Sequence, residues 1–174
     1  MLTELTIKDF ISKVISNDPV PGGGSVSALN GALAAALSAM VANLTVGRKK
    51  YAEVNDLMQE LSTRFEKLSQ KLIEDVDRDS DAYNRVFAAF KLPKETDEEK
   101  QFRSEAIQQE TKYAAQVPME VARAVYEVLP QIDAIAQKGN SNAVTDACVS
   151  MMCARTAILG ALLNVRINLT SIKD

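Results

Sequence analysis

The chain has 174 residues, with 20 basic and 23 acidic side chains, a net charge of −3 and no histidine. This length suits a single domain. The absence of histidine excludes catalytic arrangements built on imidazole, including Ser-His-Asp and Cys-His, and it excludes histidine metal ligands. Acid–base chemistry must therefore come from Asp, Glu, Lys or Tyr. The mild negative charge gives no general attraction to nucleic acid or to anionic membranes, so we expect neither as a partner.

The cysteines and the first residues of the chain indicate a cytoplasmic protein. Cys148 and Cys153 lie five residues apart in a predicted helix, which turns them about 140° from each other and prevents a disulfide. We therefore expect two buried, reduced thiols. The segment MLTELTIKDFISK lacks the pattern of a signal peptide. The apolar stretch from Val26 to Val46 is interrupted by Ser and Asn side chains, which favours a buried helix over a transmembrane one.

Helical spacing of apolar residues runs along nearly the whole chain, whereas alternation with a period of two is almost absent. A first helix is predicted over residues 5–15. The Gly- and Pro-rich loop of residues 17–24 separates it from a second helix, for which Ser25 is the predicted N-cap. Alanine lines this second helix and permits close approach of neighbouring backbones. We therefore expect it at the centre of a helical bundle.

Proline and capping residues divide the second half of the chain. A long third helix is predicted from about Ala52 to Phe90, where apolar residues recur at steps of three and four. Either Thr96 or Asp97 can cap the helix that follows. Because proline lacks a backbone N–H, Pro118 and Pro130 are predicted to divide the next region into shorter pieces.

The last predicted helix has about 28 residues and follows Lys138-Gly139, which ends the preceding helix. It is apolar nearly all round, which predicts burial inside the bundle or against a partner subunit. The predicted fold is therefore all-α, a single multi-helical bundle over residues 1–174 with a central Ala-rich helix and an apolar C-terminal helix.

Four carboxylates lie within residues 75–81, and one of them is out of place for packing. On a helical wheel, Asp79 falls inside the apolar stripe of the third helix. A buried carboxylate is costly unless it is paired or hydrogen-bonded, so we expect Asp79 to pair with a residue such as Arg155 or to belong to a site. Tyr83 lies one turn later on the same face, where it either packs or serves the same small cavity.

The other carboxylates of this segment do not predict a metal site. Asp77 and Asp81 fall on the predicted solvent face. The spacing Asp77-x-Asp79-x-Asp81 matches the start of an EF-hand loop, but Ala82 and Ala88 stand where that loop requires Gly and Glu. We predict no metal.

Two clusters flank the second helix and are candidates for binding anions. The loop before it contains Gly22, Gly23, Gly24 and Ser25. The free N–H groups of a helix start favour carboxylate or phosphate, although a flexible turn is the simpler interpretation. The segment after the helix contains Arg48, Lys49 and Lys50. These cations either form a solvated helix end or attract a polyanionic tail.

The start of the last helix holds further polar residues. Asn140 and its neighbours lie in the first turn, where capping explains one or two of them. Asp146 and Arg155 remain unexplained inside an apolar helix. On a helical wheel with Val144 at 0°, Arg155 falls at about 20°, within the predicted apolar face, so we expect it to pair with a buried acid.

Taken in order, these segments resemble one enzyme family over nearly the whole chain. They are Pro21-Gly22-Gly23-Gly24-Ser25, Val46-Gly47-Arg48-Lys49-Lys50-Tyr51, Asp77-x-Asp79-x-x-Ala82-Tyr83, Leu92-Pro93-Lys94, Gly139-Asn140 with Asp146, and Asn164-Val165-x-Ile167-Asn168-Leu169. The combination resembles the formiminotetrahydrofolate cyclodeaminase / methenyltetrahydrofolate cyclohydrolase family. The resemblance implies an all-helical bundle that forms a homodimer.

The resemblance also implies a reaction and a site. Formiminotetrahydrofolate would be converted to methenyltetrahydrofolate and ammonia, with no cofactor beyond the tetrahydrofolate that carries the one-carbon group. We expect Asp79 to shuttle the proton with Tyr83 as its relay partner, and Asp146 and Asn140 to orient the substrate. The glycine loop of residues 22–24 and the cations of residues 48–50 are expected to hold the glutamate carboxylates of the folate.

Two alternatives stay open at this point. The first is the cyclohydrolase reaction, in which water adds to the same methenyl carbon and the ring opens to formyltetrahydrofolate. The second is a non-catalytic helical dimerisation or scaffold module, which would leave Asp79, the three glycines and Asn140 unexplained.

Overall fold

The computed structural model describes residues 1–173, and it confirms the all-α prediction, since this part of the chain contains helices and no strand. The six α-helices are α1 (Ile7–Ile15), α2 (Gly23–Asn43), α3 (Asn55–Phe90), α4 (Asp97–Tyr126), α5 (Leu129–Lys138) and α6 (Val144–Leu169). Short 3-10 helices occupy Leu2–Glu4, Lys49–Val54 and Ser141–Ala143.

The Ala-rich helix α2 lies at the centre of the bundle, as its sequence predicts, and packs against α3 and α6. Near the end of α2, the Ser38 hydroxyl lies 2.8 Å from that of Ser150, which lies at the end of the second turn of α6. Near the start of α2, the Ser27 hydroxyl would overlap any Cβ added at Gly160, late in α6. The two helices are therefore antiparallel, and their backbones approach closely at Gly160.

Helix α4 continues through Pro118, contrary to the prediction that this proline divides the region into shorter pieces. Pro118 has no N–H to donate to the carbonyl of Ala114, four residues earlier. That carbonyl instead accepts a hydrogen bond of 3.0 Å from the Nδ2 amide of Asn168 in α6. A side chain from a neighbouring helix thus replaces the missing backbone donor. Pro130, in contrast, lies in the first turn of α5, as predicted.

This replacement predicts a measurable stability effect. Asn168→Ala leaves the Ala114 carbonyl without a donor, and an unsatisfied buried carbonyl costs about 1–3 kcal/mol of unfolding free energy. Urea unfolding measures the change. In the double variant Asn168→Ala/Pro118→Ala, the new N–H at position 118 should recover part of the loss. Equal stability of Asn168→Ala and the wild type would contradict this account.

Within the single chain, helix α6 is buried on one side only, whereas its composition predicts burial of most of its surface, either inside the bundle or against a partner subunit. The side that faces the bundle consists of Ala147, Ser150, Ala154, Ala157, Ala161 and Val165. The opposite side exposes the large apolar residues Val149, Met152, Leu159, Leu163 and Ile167. Cys148 is exposed as well, so the expectation of two buried thiols is wrong for this residue, although both cysteines are free.

Two helical segments of the described chain, residues 23–43 and 141–169, are long and apolar enough to cross a membrane by length and composition. The first is α2, and 61% of its most apolar window is buried inside the bundle, as is usual for a core helix. In the second segment, only 28% of the corresponding window is buried. The exposed side of α6 therefore requires another explanation.

Candidate active site

The glycine-rich loop and Asp79 meet at the start of α2. This helix begins at Gly23 with Gly22 as its N-cap, earlier than the Ser25 cap that the sequence predicts. The side chain that caps the start of α2 instead belongs to Asp79 of α3. The Asp79 carboxylate accepts hydrogen bonds from the Ser25 hydroxyl, at 3.0 Å, and from the Ser25 backbone N–H. A Cβ at Gly24 would overlap this carboxylate, so glycine at position 24 permits the contact.

Asp79 is suited to hold and release a proton. Burial raises the pKa of its carboxyl group, and the hydrogen bonds from Ser25 oppose that rise only in part. A carboxyl with a raised pKa acts as an acid or base closer to neutral pH than an ordinary aspartate does. The Ser25 hydroxyl also lies 2.9 Å from the Val76 carbonyl, which fixes its position beside the carboxylate.

The predicted pairing of Asp79 with Arg155 is wrong. Arg155 is exposed on α6, and Asp79 makes no ion pair within residues 1–173. The helical wheel misplaced Arg155 because it took Val144 as the centre of the buried face, and Val144 is itself 40% exposed. The prediction of a buried acid as the partner of Arg155 fails for the same reason.

The carboxylate that α3 buries almost completely is Asp75, one turn before Asp79. Asp75 is 1% exposed and is paired with Lys71 and, at 2.6 Å, with Arg78. Arg78 also binds Glu120 of α4 at 2.9 Å. This network neutralises Asp75 and ties α3 to α4. Asp79, one turn further on, has hydrogen bonds but no cationic partner within residues 1–173. Asp75 is therefore a structural carboxylate, whereas Asp79 is available for chemistry.

Two neighbours on α3 differ in their surroundings. Asp77, predicted to be solvated, is half-buried, because it accepts hydrogen bonds from the Leu2 N–H at 2.6 Å and the Thr3 hydroxyl at 2.7 Å. Tyr83 is 41% exposed and lies one turn after Asp79, and its hydroxyl makes no hydrogen bond to the described residues.

No three Asp, Glu or Cys side chains of residues 1–173 are grouped closely enough to hold a metal ion.

The sequence prediction of the site omitted Asn164 of α6, which lies beside the start of α2. Its Nδ2 amide donates to the Gly160 carbonyl at 2.8 Å and is 3.0 Å from the Cβ position of Gly23. Its Oδ1 accepts no hydrogen bond within residues 1–173 and is therefore a free acceptor. The sequence did contain a signal for this residue, because an amide side chain stands within an otherwise apolar helix.

The predicted cations lie at the other end of α2. Arg48, Lys49 and Lys50 are exposed, and together with Tyr51 and residues 140–142 they line a cavity of about 380 Å³. Helix α2 has 21 residues, which at 1.5 Å per residue is about 30 Å. Within one chain, this cationic cluster and Asp79 are therefore separated by the length of α2.

Asn140 and Asp146 belong to the same distant end. Asn140 is buried, and its amide is in use, since Nδ2 donates to the Leu44 carbonyl at 3.0 Å and Oδ1 accepts from the Asn142 N–H at 3.1 Å. It thus ties the end of α2 to the start of α6. Asp146 is half-buried in the first turn of α6. One chain alone does not bring Asp146 to Asp79.

Tyr51 is a second residue that the sequence prediction of the site omitted. Its hydroxyl accepts from the Ser141 N–H at 2.9 Å and lies 3.1 Å from the Ser141 hydroxyl. The Lys50 ammonium lies 5.2 Å from its ring centre. Hydrogen bonds with Ser141 are the main reason that the pKa of Tyr51 is lowered to about 8, and the neighbouring Lys50 makes a smaller contribution.

This pKa predicts a phenolate that forms in mildly alkaline solution. Because folding lowers the pKa, the folded state favours the ionised form, so the resulting stabilisation is present above the unfolded value and is lost as pH falls through about 8. Ultraviolet titration should detect one early tyrosine transition, which disappears in Tyr51→Phe. The exposed Tyr126→Phe serves as the control. Persistence of the transition in Tyr51→Phe would refute the assignment.

Comparison with known proteins identifies the family of the chain. The family model described as formiminotransferase-cyclodeaminase matches residues 6–174. A methenyltetrahydrofolate cyclohydrolase of Methylorubrum extorquens is 39% identical over 169 residues, which cover 97% of this chain and 81% of the relative. The crystal structure of formiminotetrahydrofolate cyclodeaminase from Thermotoga maritima is 31% identical, with a TM-score of 0.88 over 100% of this chain and 83% of that one.

A longer relative matches over part of its length. The formimidoyltransferase-cyclodeaminase of Rattus norvegicus is 35% identical over 173 residues, which are 99% of this chain but 32% of the rat protein. This chain thus corresponds to about a third of that relative. The family model, the relatives and the fold all agree with the family that the sequence motifs resemble. The chain therefore belongs to the formiminotransferase-cyclodeaminase family of folate one-carbon enzymes.

Proposed function

We propose that this protein converts formiminotetrahydrofolate to methenyltetrahydrofolate with release of ammonia. The observation that carries the proposal is Asp79, a half-buried carboxyl with a raised pKa that is held against the backbone of Gly24 and Ser25 and has no cationic partner within residues 1–173. Family membership supplies the class of substrate, and Asp79 supplies a group able to move the proton.

The reaction requires that the anilino nitrogen lose a proton and that the departing formimino nitrogen gain one. The anilino nitrogen of the folate attacks the formimino carbon, so a new C–N bond forms and that nitrogen loses its proton. The bond from this carbon to the formimino nitrogen then breaks, and ammonia leaves after protonation. Asp79 can accept the first proton as carboxylate and return it as carboxylic acid. In its ionised form it also stabilises the cationic methenyl product. Tyr83, one turn away, is proposed as the relay.

The cyclohydrolase reaction is the second candidate. The Methylorubrum extorquens relative, at 39% identity, is named for it. In that reaction water adds to the methenyl carbon, loses a proton, and the ring opens to formyltetrahydrofolate. Asp79 would accept the proton of the attacking water. Both reactions place positive charge at the same carbon, so one carboxylate can serve either.

We also propose that Arg48, Lys49 and Lys50 bind the glutamate carboxylates of the substrate. Lys49→Ala/Lys50→Ala should weaken the binding of polyglutamylated folate more than that of the monoglutamate, because each added carboxylate gains from local positive charge. Isothermal titration calorimetry at two salt concentrations measures both affinities. Lys8→Ala/Lys13→Ala on α1 is the matched control, since it removes the same charge elsewhere. Equal losses for both ligands would argue against tail binding.

We propose that the enzyme acts as a homodimer in the cytoplasm. The exposed apolar side of α6 supports self-association. The free thiols of Cys148 and Cys153 suit a reducing compartment.

The deciding experiment compares the two substrates directly. The purified protein is mixed with formiminotetrahydrofolate or with methenyltetrahydrofolate, and methenyl absorbance and ammonia are followed. Ammonia released together with methenyl absorbance supports the cyclodeaminase. Loss of methenyl absorbance without any turnover of formiminotetrahydrofolate supports the cyclohydrolase instead. No reaction and no folate binding would favour a scaffold module.

A further inference from the structure

We propose that Ser80 is a positioning residue for Asp79, which it reaches through the hydroxyl group of Ser25. In this arrangement Ser80 donates to Ser25, and Ser25 directs its own proton either at the Asp79 carboxylate or at the Val76 carbonyl. The inference rests on the proposed function, because it concerns the carboxyl group to which we assign the proton transfer.

The first observation is that the Ser25 hydroxyl has three oxygen neighbours. The Val76 carbonyl lies at 2.9 Å, one Asp79 carboxylate oxygen at 3.0 Å and the Ser80 hydroxyl at 3.0 Å. A serine hydroxyl carries one proton and can accept hydrogen bonds at two lone pairs. It can therefore donate to only one of these neighbours at a time.

The second observation decides in which direction the hydrogen bond between the two serines runs. Ser80 is 6% exposed, and within residues 1–173 its hydroxyl has no hydrogen-bond partner other than Ser25. If Ser80 accepted this hydrogen bond, its own proton would be buried without an acceptor, which is costly. Donation from Ser80 to Ser25 leaves no proton unpaired. The proton of Ser25 is then available to Asp79 or Val76.

The two remaining acceptors suit the two protonation states of Asp79. When the carboxyl group is ionised, Ser25 donates to it from both the hydroxyl and the backbone N–H. When the carboxyl group holds a proton, it can donate to the Ser25 oxygen, and the Ser25 proton turns to the Val76 carbonyl. That carbonyl also accepts the helical N–H four residues later, so it does not require this proton while Asp79 is ionised. Asp79 therefore keeps a hydrogen-bond partner before and after it accepts a proton.

The contribution of Ser80 is to make Ser25 a better donor to the ionised carboxyl group. Hydrogen bonds in a chain polarise one another, so a hydroxyl that accepts a hydrogen bond donates more strongly. The gain is largest where the final acceptor is charged. Through Ser25, Ser80 thus opposes part of the rise in pKa that burial causes at Asp79.

No ion pair obscures this effect. Asp79 pairs with no cation within residues 1–173, and α2, which supplies Ser25, contains no charged residue. From α6, the side chain beside the start of α2 is the neutral amide of Asn164. Three charged neighbours on α3 have partners of their own: Asp75 with Lys71 and Arg78, Arg78 also with Glu120 of α4, and Asp77 with Leu2 and Thr3. The other titratable groups within four residues of Asp79 or Asn164 are exposed: Asp81, Tyr83 and Arg166.

The test follows the titration of Asp79 directly, by NMR of its carboxyl carbon. The signal is assigned by its absence from Asp79→Asn. Removing a donor to the ionised form raises the pKa, so we expect a rise of about half a pH unit in Ser80→Ala and about 1–2 pH units in Ser25→Ala. In the double variant Ser25→Ala/Ser80→Ala, the pKa of Asp79 should equal that in Ser25→Ala, since Ser80 acts only through Ser25.

Turnover gives a second measurement. Asp79 accepts a proton only as carboxylate, so the acidic limb of the pH–rate profile should move upward with its pKa, and turnover below this pKa should fall about threefold in Ser80→Ala. Ser80→Thr keeps the hydroxyl and should restore the wild-type profile. Ser62→Ala is the matched control, because Ser62 is another buried serine of α3, hydrogen-bonded to Asn43 and Glu66. It should change neither the pKa of Asp79 nor the profile.

The outcomes separate this inference from the proposed function. An unchanged pKa of Asp79 in Ser80→Ala, or an equal rise from Ser80→Ala with and without the Ser25 hydroxyl, overturns the role of Ser80. The expected order of pKa values in a protein that turns over neither folate upholds the hydrogen-bond chain and refutes the proposed function. If Ser25→Ala does not fold, the comparison of Ser80→Ala with Ser80→Thr decides by itself, since loss of the effect on restoring the hydroxyl is required.

Discussion

Replacing Asp79 with Asn is expected to lower turnover by roughly 10²–10⁴-fold, the usual contribution of a positioned acid–base group. The amide keeps the shape of the side chain and can still accept the hydrogen bond from Ser25, but it cannot exchange a proton. Folate binding and helical circular dichroism should therefore persist. Steady-state assays with both folate substrates and calorimetric titration measure these quantities.

The same variant should gain stability at neutral pH. Burial raises the pKa of Asp79 in the folded state, so its charged form is disfavoured by folding. The stability that wild-type Asp79 contributes is fully present below its unfolded pKa and is lost as pH rises through the folded pKa. Asp79→Asn does not undergo this loss. Thermal unfolding of both proteins as a function of pH should show the difference growing towards neutral pH.

Asp77→Asn is the control for this prediction. It removes an equal charge two residues away, where the carboxylate holds Leu2 and Thr3. Turnover should change little, whereas the N-terminal segment should become more sensitive to protease. If Asp79→Asn fails to fold, or keeps normal turnover, Asp79 is a structural cap and the proposed chemistry is wrong.

Gly24→Ala is expected to damage both the fold and the activity. The new methyl group would occupy the space of the Asp79 carboxylate, so that this side chain would have to move away and lose its hydrogen bonds with Ser25. Overpacking of this kind costs about 1–3 kcal/mol. Turnover should fall at least as far as in Asp79→Asn. Urea unfolding and the substrate assays measure the two effects.

A double variant separates the overlap from a general effect of alanine. In Gly24→Ala/Asp79→Ala, the side chain that clashes is gone, so stability should return towards that of Asp79→Ala alone. Gly23→Ala is the matched control, because its Cβ meets only the movable amide of Asn164, at 3.0 Å. It should cost less stability than Gly24→Ala. Additive effects in the double variant would show that the overlap is not the cause.

The helical fold could be predicted from the sequence because its signals are local. Apolar spacing and capping depend on residues within one or two turns, and Thr96 indeed caps α4 with Glu99 in a capping box. The prediction at Pro118 was wrong because the donor to the Ala114 carbonyl comes from Asn168, 54 residues away. No local pattern contains that information.

The candidate site was predictable only in part, for a similar reason. Asp79 stood out as a carboxylate in an apolar stripe, and its contact with the backbone explains the glycine at position 24. Asn140 was predicted to bind the substrate, yet its side-chain amide is hydrogen-bonded to the Leu44 carbonyl and the Asn142 N–H. Whether a polar side chain is free depends on its three-dimensional partners. Spacing along the chain does not report them.

The hydrogen bond between Asn168 and the Ala114 carbonyl also affects how motion spreads through the protein. Asn168 lies in the last turn of α6, and helix ends open more readily than helix centres. Its Nδ2 amide also lies 3.0 Å from the carbonyl of Asn164. Opening of this turn would expose the middle of α4 and loosen Asn164 beside Gly23 at the same time. The order of the candidate site and the protection of the backbone around Pro118 in α4 thus depend on the same final turn.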